Sequence, residues 1–140
     1  MNCEQCNKSE STYLTNKQWL CWACFHKIKV GNISYTIYST HGSSSSSSPH
    51  TKIKSCIDLA RSFDADCYLM GHLHSLSTHT GIFQEVKGNQ IKERKRVYVL
   101  TGHFLDYKGS YAEMKGLQPD KQGSPRIRLN GVVKDIHISL

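Results

Sequence analysis

From residue 25 to 30 the side chains alternate along an extended chain. Phe25, Lys27 and Lys29 fall on one side, and His26, Ile28 and Val30 on the other. A period of two is that of a strand. Gly31-Asn32 marks a turn, and the apolar run 33–38 reads as a second strand, so the pair is expected as a hairpin. Thr40-His41-Gly42 stands at the end of that strand. Six serines follow, 43–48, with nothing apolar to bury, which reads as a mobile loop. Pro49 suits the first position of a helix, with Ser48 as its cap. Ile53, Cys56, Ile57, Ala60 and Phe63 then recur at helical spacing, whereas Lys52, Lys54, Asp58 and Arg61 lie elsewhere. This is an amphipathic helix of about three turns.

The remainder reads mainly as strands. Asp64-Ala65-Asp66 leads into a short apolar strand, 67–70, with Gly71-His72-Leu73-His74-Ser75 at its C-terminal end. Residues 82–87 alternate weakly, and 96–101 read as a well-buried strand. The charged run Lys92-Glu93-Arg94-Lys95-Arg96 is expected in the turn between them. The stretch 102–116 is irregular, with one helical turn at 111–114. Residues 126–129 and 132–138 flank Asn130-Gly131, a pair suited to a type I′ turn, so a tight hairpin is expected. The pattern predicts an α+β chain rich in strands.

A length of 140 residues gives one domain with at most a small appendage. No apolar run approaches the roughly 20 residues of a membrane-spanning helix. The opening Met1-Asn2-Cys3-Glu4-Gln5-Cys6 lacks the basic and apolar regions of a signal peptide, so the expected location is cytoplasmic with no membrane partner. Eighteen Lys and Arg against eleven Asp and Glu give a net charge of +7. That excess admits nucleic acid or a phosphorylated substrate as partner, the plain alternative being a solvated basic surface.

Six cysteines are present, and four form two pairs, Cys3-x-x-Cys6 and Cys21-x-x-Cys24. A two-residue gap lets both sulfurs of a tight turn face one ion, and four thiolates close a tetrahedral structural Zn2+ site. Residues 1–28 are therefore expected as a zinc-ribbon-like segment, with a hairpin in the spacer and metal as the main source of folding energy. Reduced, unliganded thiols are the plain alternative. Cys56 and Cys67 stand singly on apolar faces and read as small buried hydrophobes.

Eight histidines occur, at 26, 41, 50, 72, 74, 79, 103 and 137. In an extended backbone His72 and His74 face one way, and they follow a strand and a glycine, where open sheets place ligand sites. His41 ends another strand in the same manner. Thr40-His41-Gly42, the helix, Asp64 to Met70, Gly71-His72-Leu73-His74, 97–102 and 111–116 together resemble the C-terminal half of calcineurin-like metallophosphoesterases of the phage and prophage type. The likeness covers roughly residues 28–140.

That resemblance implies the β-rich C-terminal half of an αββα sandwich over 29–140. It also implies metal-dependent hydrolysis of phosphomonoesters or phosphodiesters. His41 and His72 would ligate one ion and His74 a second, with Mn2+, Fe2+ or Zn2+ suited to imidazole. The Asp-x-His, Gly-Asp and Gly-Asn-His motifs of the family's first half do not occur before His41. Three imidazoles cannot neutralise two divalent cations. The expected chain is thus truncated and inactive alone unless a complementing chain or a homo-oligomer supplies carboxylates. Asp135-Ile136-His137 repeats the Asp-x-His spacing, but the resemblance sets its strand away from the site. His103, His26, His50 and His79 read as satisfied histidines. The alternative function is a zinc-ribbon module binding nucleic acid or protein on a non-catalytic scaffold.

Overall fold

The structure, a computed structural model, describes residues 22–43 and 46–140, together with the backbone of 12–14 and 18–20. It is mixed α+β and dominated by strands. Strands β1 (Thr12–Leu14) and β2 (Gln18–Leu20) pair antiparallel, which places the expected hairpin in the spacer between the cysteine pairs. Strands β3 (Ala23–Val30) and β4 (Ile33–Thr40) form the second expected hairpin around Gly31-Asn32. Helix α1 (Pro49–Asp58) and a 3₁₀ turn (Leu59–Arg61) lead to β5 (Cys67–Met70). Then follow β6 (Leu76–Lys87), β7 (Gln90–Thr101), the short helix α2 (Tyr111–Met114), β8 (Arg126–Leu129) and β9 (Ile136–Ser139).

One sheet carries the fold, in the order β3-β4-β5-β7-β6. Strands β4, β5 and β7 run parallel, and antiparallel β3 and β6 flank them. β3 crosses the expected boundary at residue 28, so residues 23–28, Cys24 among them, belong to this sheet. Alternation splits the side chains between two layers. Tyr35, Ile37, Cys67, Val97 and Val99 face the β8–β9 hairpin, where Ile136 is buried against them. Tyr38, Tyr68, Met70, Tyr98 and Leu100 face α1, where Cys56 is fully buried. Burial pushes the thiols of Cys56 and Cys67 up to about 12, in keeping with inert core cysteines.

An aromatic row crosses all five strands at one register level. Phe25, Tyr38, Tyr68, Tyr98 and His79 are successive cross-strand neighbours. The rings of Tyr68 and Tyr98 stack at 5.0 Å, and Phe63 stacks on Tyr38 at 4.3 Å. Contacts of this kind contribute about 0.5–1.5 kcal/mol each beyond burial.

Three local expectations differ from the structure. Lys92 to Arg96 lie within β7, and the turn is the two residues Gly88-Asn89 between Lys87 and Gln90. Charge is stable on this strand because it is paired: Arg94 reaches Asp64 at 2.9 Å and Asp66 at 3.1 Å, Arg96 reaches Asp64 at 2.8 Å, and Lys95 reaches Asp135 at 2.8 Å. Ser48 sits at the N-cap of α1, but its side chain makes no capping bond. Its own amide donates to Ser46 Oγ instead.

Asn130-Gly131 also forms no two-residue turn, since Leu129 pairs with Ile136 across a six-residue loop. A tight turn would have set Lys134 opposite Ile127 on the core face. The longer loop places Ile138 there instead.

Within that loop Asn130 Oδ1 accepts from the Val132 and Val133 amides, and the Tyr35 hydroxyl ties it to the sheet. Tyr35, fully buried, donates from its OH to the Asn130 carbonyl at 2.6 Å, and the same oxygen accepts from the Asp135 amide at 3.1 Å. Tyr35→Phe leaves these loop groups without their partner, and its expected cost is about 1–3 kcal/mol. Urea unfolding measures it, and a midpoint equal to wild type would contradict this role.

Candidate functional site

The C-terminal ends of β4, β5 and β7 lie at one edge of the sheet, because Thr40, Met70 and Leu100 are neighbours in register. The chain therefore releases His41, Gly71-His72 and, after Thr101-Gly102, His103 along that edge. His41 Nε2 and His72 Nδ1 are 3.0 Å apart, one nitrogen carrying a proton that the other accepts. The His72 and His74 rings lie 6.5 Å apart, and those of His74 and His103 lie 5.6 Å apart. Four imidazoles thus form a row. The three that the sequence singles out are joined by His103, which by sequence reads as a satisfied histidine.

The backbone between them differs from the extended form expected. His72 and His74 both adopt left-handed conformations, with φ of 65° and 48°. Such geometry at non-glycine residues costs of order 1–3 kcal/mol and is tolerated when the surroundings impose it. The anchor here is Leu73, which sinks into the α1-side core at 5% exposure, while its amide donates to the Gly71 carbonyl at 2.7 Å. Gly71 donates to Thr40, carrying the parallel pairing one residue further. With Leu73 buried, the histidines on either side are held out at the edge. Gly102, with φ of 76°, is fixed by close approach: a Cβ there would meet the Gly123 carbonyl oxygen at 2.3 Å. The Gly123 amide in turn donates to the His103 carbonyl at 2.8 Å.

Electrostatics keep part of the row neutral. Burial lowers the pKa of His74, and the nearby His103, His72, Lys52 and His41 lower it further. His103 Nδ1 accepts from the Leu105 amide, which leaves its proton on Nε2. Neutral imidazoles are the form that binds metal ions. Only loss of the proton between His41 and His72 would free both nitrogens for one ion, whose bonds of about 2.1 Å at roughly 90–110° place ligand nitrogens about 3.0–3.4 Å apart, a span their 3.0 Å separation meets. Among the described residues, no three His, Cys, Asp or Glu side chains converge as a metal-binding group. His41 and His72 fit part of one ion's shell. A bridged pair of ions needs carboxylates that this row does not contain. Asp120 lines a cavity of about 50 Å3 that His74 and His103 also line.

A larger cavity, about 440 Å3, opens beside His72 and His74 and is walled by Ser46, Ser47, Lys52, Tyr111 and Lys115. Ser44 and Ser45 lie outside the described residues, as do Cys3, Cys6 and Cys21 of the expected zinc site. Cys24 is half-buried in β3, opposite Ser39. Asp135 and His137 lie away from the row: Asp135 pairs with Lys95, and His137 faces Arg128 in the β8–β9 hairpin. His26 is satisfied by Ser39 Oγ at 2.7 Å. Arg94, Lys95 and Arg96 of the basic run are ion-paired with Asp64, Asp66 and Asp135. Among the described residues, no helix is long and apolar enough to cross a membrane. No protein-family model, no curated protein and no solved structure matches this chain.

The depressed pKa of His74 has a sign that can be checked. The folded chain binds this proton less readily than the unfolded chain. His74 therefore withdraws stability as pH falls from the ordinary 6.5 through its lowered value. NMR titration without divalent cations is expected to place His74 below 6.5, and His103→Gln is expected to raise it. A His74 titrating at or above the ordinary value would contradict this arrangement.

Proposed function

We propose that this chain is part of a metal-dependent phosphoester hydrolase, with the histidine row as its reacting edge. The observation that carries the reading is the union of His41, His72 and His74 from two strand ends, with His41 and His72 nitrogens at 3.0 Å. The large cavity beside the row has lysines and hydroxyls in its wall, suited to a phosphoryl group. In phosphoester hydrolysis water's oxygen bonds to phosphorus, the bond to the leaving alcohol breaks, and a proton passes to that alcohol. His41 and His72 would hold the cation, which when bound supplies charge stabilisation to the phosphoryl oxygens. His74 and His103, of which His74 is kept neutral, stand where a proton can be taken up or given back.

The carboxylates that complete a two-ion site would come from outside the described residues, through a complementing chain or a second copy. The sheet, with α1 on one face and β8–β9 on the other, supports its reading as half of an αββα sandwich. The β1–β2 hairpin between the two cysteine pairs likewise supports a structural Zn2+ held by Cys3, Cys6, Cys21 and Cys24.

Hydrolysis of bis(4-nitrophenyl) phosphate with added Mn2+ tests the function. The expected result is turnover that falls at least about tenfold in His72→Ala, a loss of roughly 1.4 kcal/mol of transition-state stabilisation. Turnover that is present and unchanged by His72→Ala would end the reading.

A further inference from the structure

The 440 Å3 cavity has a composition that names its ligand more closely. Its charged lining consists of Lys52 and Lys115, with the imidazoles of His72 and His74 beside them, and no carboxylate borders it. The acids near these lysines are committed elsewhere. Glu113, the one acid in the 111–118 wall, accepts from the Gly109 amide at 2.6 Å through Oε2. Asp58 on α1 is taken by Lys54 at 2.6 Å and Arg61 at 3.2 Å. Neither Lys52 nor Lys115 has an ion-pair partner among the described residues. Unneutralised cations around a concave space favour an anionic group.

The other half of the wall is apolar and aromatic. Leu73 and Leu117 contribute apolar surface, and Tyr111 stands 56% exposed with the Lys115 ammonium 5.8 Å from its ring centre. The wall is rigidly supported: Ala112 is buried, its amide donates to Ser110 Oγ at 3.1 Å, and the Leu117 amide returns to the Ala112 carbonyl at 2.9 Å. The volume lies within the roughly 300–1,000 Å3 of small-molecule pockets and exceeds what a lone phosphate fills. With the Lys115 ammonium over one face of this exposed ring, a planar base suits the other face.

We propose that this cavity binds a nucleoside monophosphate. Lys52 and Lys115 receive the phosphate and Tyr111 stacks on the base, so that the phosphate end lies toward His72 and His74. As a statement about substrate it rests on the phosphoester reading above, whereas the binding itself needs no metal.

Calorimetry on the full chain without added divalent cation tests it, with adenosine 5′-monophosphate, adenosine and inorganic phosphate as probes. The monophosphate is expected to bind more tightly than either fragment. Tyr111→Ala is expected to weaken the monophosphate about tenfold and leave inorganic phosphate unchanged. Lys115→Gln weakens both, and Lys115→Arg restores them. All these side chains are exposed, and circular dichroism verifies that each variant stays folded. Equal affinity for monophosphate and inorganic phosphate, or no effect of Tyr111→Ala, would overturn the proposal. Binding as described, with Mn2+-dependent hydrolysis that His72→Ala leaves unchanged, would leave this site standing and remove the hydrolase reading. Hydrolysis with KM unchanged in Tyr111→Ala and Lys115→Gln would do the reverse.

Discussion

The lateral register of β4, β5 and β7 decides what the rest of the molecule can do. Ile37, Cys67 and Val97 lie level, as do Tyr38, Tyr68 and Tyr98, and Thr40, Met70 and Leu100. A slip of one residue would turn each set to the opposite face, exchanging the layer against α1 with the layer against β8–β9. Asp66 pins the start of this register. It is 2% exposed, its amide and carboxylate bond to both backbone groups of Thr36, and its carbonyl accepts from Val97. Burial opposes its charge, but the Thr36 amide, Lys134 and Arg94 outweigh that and hold its carboxyl below the usual range. With the starts aligned, strands of equal reach deliver their ends, and hence the histidines, to one edge.

Strain is concentrated at that edge. The left-handed backbone at His72 and His74 is imposed by the burial of Leu73 between them. The intervening residue of Gly-His-x-His thus acts as the anchor that fixes where two imidazoles stand. The close approach of Gly102 to Gly123 serves the same end for His103. A site on strand ends and tightly tied turns is more precise than one on free loops, which is what proton or metal chemistry requires.

Much of this was legible in the sequence because it rests on short-range patterning. Alternation in 25–30, the Gly31-Asn32 turn, the helical spacing after Pro49 and the apolar run 67–70 each report one element. His41, His72 and His74 were legible because each follows a strand end. Lys92 to Arg96 misled because its charges are stabilised by Asp64, Asp66 and Asp135, up to about forty residues away. Asn130-Gly131 misled because a buried Tyr35 hydroxyl, a hundred residues back along the chain, holds the longer loop. His103, Lys115 and Tyr111 gave no signal as site residues, although 111–116 carried part of the resemblance. They join His74 and Lys52 only through the chain's return over 102–123, which carries no periodic pattern.

The proposed function depends on the ability of the edge histidines to hold a divalent cation. Its most direct measurement is Mn2+ binding followed by electron paramagnetic resonance, comparing the full chain with His41→Ala and His72→Ala. Bound Mn2+ is expected in the parent chain, with its loss or strong weakening in either variant and the fold intact by circular dichroism. Mn2+ binding that is absent from the parent, or unchanged in both variants, would contradict it.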